Sequence, residues 1–200
     1  YGGDLMIGAY GIVNRLGFFF VMIVMGVNQG MQPIAGYNFG ARQYERVLRV
    51  LRLTIMGATC ITTTGFLIGE LAPGFAAALF TKDEELIGLA STGMRIVFAF
   101  FPIIGFQMVA TNFFQSIGMA GKAVFLSLSR QLLFLVPGLL LLPRLFDTAT
   151  SWNGSWGVWC AMPLSDLLAA VVAFFMLTYQ LRKFRAMMAA QTLNEPRDGE

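Results

Sequence analysis

The stretch Gly26–Arg49, GVNQGMQPIAGYNFGARQYERVLR, closes a strongly apolar run. Up to Gly40 it carries four amides (Asn28, Gln29, Gln32 and Asn38), a proline at position 33 and four glycines, and arginines follow at 42, 46, 49 and 52. A helix in a soluble core has no use for this ending, because buried amides without partners are costly. A helix leaving a lipid bilayer does. Glycine and proline loosen its end and allow close packing, the amides satisfy freed backbone or face a cavity, and the arginines hold the end at the interface.

The composition agrees. Of 200 residues, 56% are hydrophobic and 12% charged, about half the charge of a soluble domain. The mean hydropathy is +0.67. Histidine is absent, which removes the commonest metal ligand and the usual neutral-pH general base. No span carries paired acids, and no G-x-x-x-x-G-K-[ST] loop is present. These absences point away from an enzyme, an ATPase and a metal site. Cys60 and Cys160 lie far apart in apolar runs and read as buried small side chains, not as a disulfide.

Five apolar stretches reach the roughly 20 residues a bilayer demands: about 7–36, 48–69, 87–117, 123–142 and 156–181. Between the second and third, ELAPGFAAALFTKDEE (70–85) reads as a turn at Pro73 and a short amphipathic surface piece. The net charge of +3 follows the topology. Arg42, Arg46, Arg49, Arg52, Lys122, Arg182, Lys183 and Arg185 fall on the first, third and fifth connecting segments, and only Lys82 and Arg144 on the others. Eight cations against two put the first set on the cytoplasmic side, with Tyr1 outside and the C-terminus inside. The basic excess is thus a topology signal, and no nucleic-acid partner is expected. Trp152, Trp156 and Trp159 fall where an outer aromatic belt is expected. Residues 186–200 read as a disordered cytoplasmic tail. Tyr1 opens the chain without Met, a charged n-region or a cleavage site. Five spans that start outside then imply at least one earlier span in a longer protein.

Several polar groups lie within the spans. Arg15, Arg95, Arg130 and Asp166 are intramembrane charges, whereas Glu70 closes its span near an interface. Arg130 lies about 12 Å and Asp166 about 24 Å along their helices from the inner ends, a gap that a long arginine side chain narrows. Asp166 is either a structural partner for an arginine or a titrating group that couples ions to transport. Gln107, Thr111 and Gln115 share a helical face, with Asn112 beside them. Such a face lines a cavity or glues helices together. Prolines 33, 102, 137 and 163 lie in spans, as plain kinks or as breaks near a binding site.

GMQPIAGYNFGARQYERV (30–47) resembles a signature of the multidrug and toxic compound extrusion (MATE) family. YGGDLMIGAYGIVNR (1–15), NFFQSIGMAGKAVFLSLSRQLLFLVPGLLLLP (112–143) and GVWCAMPLSDLLAA (157–170) resemble the same family in the same order. The resemblance runs to about residue 185. It implies an all-α membrane fold of twelve helices in two six-helix lobes. This chain would supply helices eight to twelve, a partial C-terminal lobe, inactive without the missing N-terminal lobe. It implies a multi-pass protein of the bacterial inner membrane, with membrane lipid around it. The expected function is export of cationic amphipathic drugs in exchange for protons or sodium ions, by alternating access and without a cofactor. Family coupling acids lie in the first helix and, in some branches, in the seventh and tenth. The span here that corresponds to the tenth has no Asp or Glu. Asn14, Arg15, Gln29, Gln32, Arg130 and Asp166 fall within family-like motifs. Substrate-cavity candidates are Gln107, Thr111, Asn112, Gln115, Gln29 and Gln32. Charge candidates, coupling or structural, are Asp166, Arg130 and Arg15. Within the same superfamily, a flippase for lipid-linked oligosaccharides is the alternative, with Arg15, Arg95 and Arg130 available to a pyrophosphate headgroup.

Overall fold

The computed structural model describes residues 3–149 and 154–194. These form a helical bundle. Helix α1 (Asp4–Gly40) runs 37 residues, about 55 Å, and turns sharply into α2 (Tyr44–Leu71). The short α3 (Pro73–Ala78) leads to α4 (Glu84–Phe98) and α5 (Phe101–Ser116). Next come α6 (Ala120–Leu128), a π-helical segment (Ser129–Leu135) and α7 (Val136–Ala149). The long α8 (Gly154–Asn194) closes the chain.

Four of these helical units are long and apolar enough to cross a membrane, and the bent pair α4–α5 makes a fifth. Large apolar side chains such as Phe18, Met22, Leu132, Leu140 and Phe175 stand exposed along their flanks. Water would not tolerate so much bare apolar surface; lipid does.

The third span is not one helix. It bends by 51° between α4 and α5. Pro102 lacks the N–H that would bond to Phe98, and its ring crowds that carbonyl. Stacking of Phe98 on Phe101, with centroids 4.5 Å apart, packs the break. The fourth span carries the π segment just before Pro137, a widening that lets the backbone pass the missing proline donor. Pro33 and Pro163 stay inside continuous helices. Of the four prolines, then, Pro102 breaks its span, Pro137 adjoins a widened turn, and two are tolerated within helices.

Between spans, turns follow local chemistry. Arg42 takes a left-handed φ of 58° to reverse the chain after α1, and the Gln43 N–H donates to the Asn38 carbonyl at 2.9 Å. Gly118 does the same after α5 with φ 77°, a position natural for glycine. Asp83 caps α4, its Oδ1 accepting from the Glu85 and Leu86 N–H groups at 3.0 and 3.2 Å.

Two apolar clusters fill the bundle. One holds Met31, Phe113, Phe114 and Phe184; the other holds Met94, Phe98, Phe101 and Trp159. Phe184 touches Phe39 and Tyr44, with centroids 5.7 and 5.5 Å apart. Lys122 Nζ donates to Gln180 Oε1 at 2.6 Å. These contacts bring the α1–α2 turn, the start of α6 and the 180–184 stretch of α8 together, so the segments that carry the eight cations lie at one end of the bundle.

Three expectations need correction. The tail expected to be disordered from 186 is helical to Asn194, because Met, Ala, Gln and Leu propagate an established helix well; residues 195–200 lie outside the described residues. Trp159 is buried between α1 and α4, with Tyr10 edge-on to its ring at 5.5 Å, and is no belt residue. Trp152 and the side chain of Trp156 lie outside the described residues. Cys60 is exposed and Cys160 half-buried, both free. Cysteine is small and apolar enough to face lipid as readily as a core.

Candidate functional site

The break in the third span, the π segment and the first third of α8 meet α1 around a cavity of about 270 Å³. Its walls are mostly apolar: Val13, Gly17, Phe18 and Val21 of α1, Phe98, Phe101, Ile104 and Met108 around the break, Leu135 and Met162. Its polar groups are Asn14, Ser165, Arg130 and Asp166. Apolar walls with a few convergent polar groups are the usual form of a small-molecule site.

Arg130 and Asp166 meet here. Arg130 Nε donates to Asp166 Oδ1 at 2.6 Å, which joins the two as an ion pair. Asp166 is 5% exposed, while the Arg130 side chain keeps 41% of its surface open. The two depths inferred from the helices are reconciled by geometry. Arg130 is the second residue of the widened segment, Asp166 follows Pro163, and their helical segments pack side by side. Ser165, next to Asp166, donates its hydroxyl to the Met162 carbonyl at 2.7 Å.

The amide candidates lie elsewhere. None of Gln29, Gln32, Gln107, Thr111, Asn112 and Gln115 lines this cavity. Gln32 Nε2 donates to Asn112 Oδ1 at 3.1 Å, joining α1 to α5, and Asn112 Nδ2 donates to the Met108 carbonyl at 2.9 Å. Thr111 returns its hydroxyl to the Gln107 carbonyl. Gln107 is buried with Oε1 unpartnered among the described residues. Gln29 and Gln115 are exposed, as are Arg15 and Arg95. The shared face of Gln107, Thr111 and Gln115 thus runs from the core to the bundle surface.

Two features were not among the site candidates. Ser165 was hidden by its apolar surroundings. Asn28 is 2% exposed, and neither of its side-chain polar atoms has a partner among the described residues; its place one turn before Gln32 was the available signal. No group of three or more His, Cys, Asp or Glu suited to a metal occurs among the described residues.

The MatE family model matches residues 1–140, well over half of the chain. The chain belongs to the MatE family. It is 27% identical over 185 residues to the multidrug export protein MepA of Staphylococcus aureus (strain NCTC 8325 / PS 47), covering 90% of this chain and 38% of that protein. A MepA from Staphylococcus haemolyticus is 24% identical over 180 residues with the same coverage. Among solved structures, the MATE multidrug transporter DinF-BH is 38% identical with a TM-score of 0.76, covering 92% of this chain and 39% of that one. A MATE structure in a bent conformation reaches a TM-score of 0.81 at 22% identity. The chain therefore spans about two-fifths of the length of the MatE relatives it matches. Its relatives are transporters, and the bundle is a multi-pass membrane fold rather than an enzyme.

Proposed function

We propose that this chain is part of the C-terminal lobe of a secondary antiporter that exports cationic, amphipathic compounds in exchange for protons or sodium ions, by alternating access. In this reading the assembled transporter contains a further lobe that completes the cavity, lies in the bacterial inner membrane, and keeps the basic end of this lobe in the cytoplasm. The observation that carries it is the buried Asp166 on the wall of an apolar cavity, held by a half-exposed Arg130. An intramembrane carboxylate that is almost fully buried needs a cation beside it. Arg130, the coupling ion and a cationic substrate are alternatives for that place. The exposed Phe18 and the apolar wall that Phe98 and Phe101 contribute suit the apolar body of such a substrate. Occupancy by one cation excludes another, which is the logic of antiport.

The cavity suits a lipid-linked pyrophosphate poorly. Arg130 is its one lining cation among the described residues and is already neutralised, while Arg15 and Arg95 lie outside the lining.

The test reconstitutes the assembled transporter in vesicles and follows ethidium under an imposed proton gradient, then under a sodium gradient. Transport is expected under one of them, and Asp166→Asn should abolish it. Absence of ethidium movement under both gradients refutes the drug antiporter. Full transport by Asp166→Asn confines the Arg130–Asp166 pair to a structural role.

A further inference from the structure

A second groove lies at the basic end of the bundle, between α2 and α8. It encloses about 220 Å³. Leu51, Ile55 and Leu181 contribute to its apolar floor, and Arg52 and Arg185 stand beside it, one from each helix. Both arginines are exposed, and neither forms an ion pair with the described residues. No carboxylate lines the groove. The acid nearest in sequence is Glu45, about two turns before Arg52 on α2.

We propose that this groove binds one anionic phospholipid of the surrounding leaflet, with Arg52 and Arg185 on the headgroup phosphate and the first methylenes of an acyl chain on the apolar floor. Charge complementarity selects the occupant. Two guanidiniums over an apolar surface repel the cationic compounds assigned to the central cavity. They equally repel the same basic face of a second copy. The groove opens at the end of spans that cross a bilayer, where lipid headgroups are the most abundant anions. Guanidinium forks match phosphate oxygens in a bidentate way, which a diffuse basic surface does not require. Basic pockets between transmembrane helices are a recurrent form of such a site. This inference rests on the membrane-spanning fold alone and stands whether or not the central cavity carries drugs.

The test purifies the assembled transporter, strips its lipid, and titrates it with dioleoylphosphatidylglycerol while native mass spectrometry counts bound molecules. Each phosphate contact near the surface is worth about five-fold in affinity, so R52Q/R185Q should weaken retention roughly thirty-fold. R46Q/R182Q removes two exposed cations at the same end that do not line the groove, and should change it less than about three-fold. If R52Q/R185Q fails to fold, the single variants R52Q and R185Q decide; each should weaken retention about five-fold. Retention by R52Q/R185Q equal to that of the parent overturns the proposal, as does parental retention by both folded single variants. Equal losses in R52Q/R185Q and R46Q/R182Q reveal a diffuse field in place of a site, and also overturn it. Dioleoylphosphatidylcholine binding as well as phosphatidylglycerol, or inorganic phosphate binding with the affinity of the lipid, refutes an anionic lipid as the occupant.

Discussion

Removing the two members of the Arg130–Asp166 pair should have unequal costs. The Asp166 side chain is 7% exposed and that of Arg130 is 41% exposed. Arg130→Met leaves a carboxylate in the interior with no cation, a loss of the kind that costs about 3–5 kcal/mol. Asp166→Asn leaves an arginine with much of its surface open, free to turn its head toward polar surroundings. That cost is about 1 kcal/mol, discounted for the exposure. Arg130→Met combined with Asp166→Leu removes both charges and should recover most of the loss, because an apolar pair of similar volume often replaces a buried ion pair without penalty. The assay is reversible unfolding of the assembled transporter in mixed micelles with increasing dodecyl sulfate. Stability should fall in the order parent, Asp166→Asn, Arg130→Met, with the double variant near the parent. Two results refute this reasoning. If Asp166→Asn costs as much as Arg130→Met, burial is not what sets the asymmetry. If the double variant loses the sum of the two single variants, the groups are not coupled.

Two further predictions use the same unfolding assay. A Cβ at Gly93 would sit on the Trp159 ring, so Gly93→Ala should destabilise by about 1–3 kcal/mol, while Gly88→Ala, which meets nothing within 4 Å, should be neutral or slightly stabilising; equal effects would refute the tight α4–α8 contact. Asn28→Leu should stabilise by about 1 kcal/mol, since it replaces a 2% exposed amide whose polar atoms are unpartnered among the described residues; a large destabilisation would mean that Asn28 holds a bound water or ion.

How far the sequence could be read depended on how local each signal was. Apolar length and the alternation of arginines are properties of short windows, so five spans and a basic end were legible from the chain alone. The break in the third span had a local cause, Pro102, but three other prolines carried the same letter with different outcomes. What separates them is packing: Phe98 and Phe101 stack across one break, and no sequence window contains that contact. The amide face lies off the lining of the cavity, and a similar limit applies to it. Spacing of three and four tells which residues share a side of α5, but not whether that side meets α1, lipid or open space. Arg130 and Asp166 show the converse. Each was conspicuous as a charge in an apolar run, yet their depths suggested a mismatch. The π segment that begins one residue before Arg130 changes the helical register there, and the two helical segments pack side by side at that level. A buried acid therefore found its cation through an irregularity that no periodic reading of the fourth span anticipates. That irregularity also lies on the wall of the central cavity, beside the broken third span. The departures from regular helix are concentrated where the bundle is open, and this is the physical reason for seeking function there and not on the amide face.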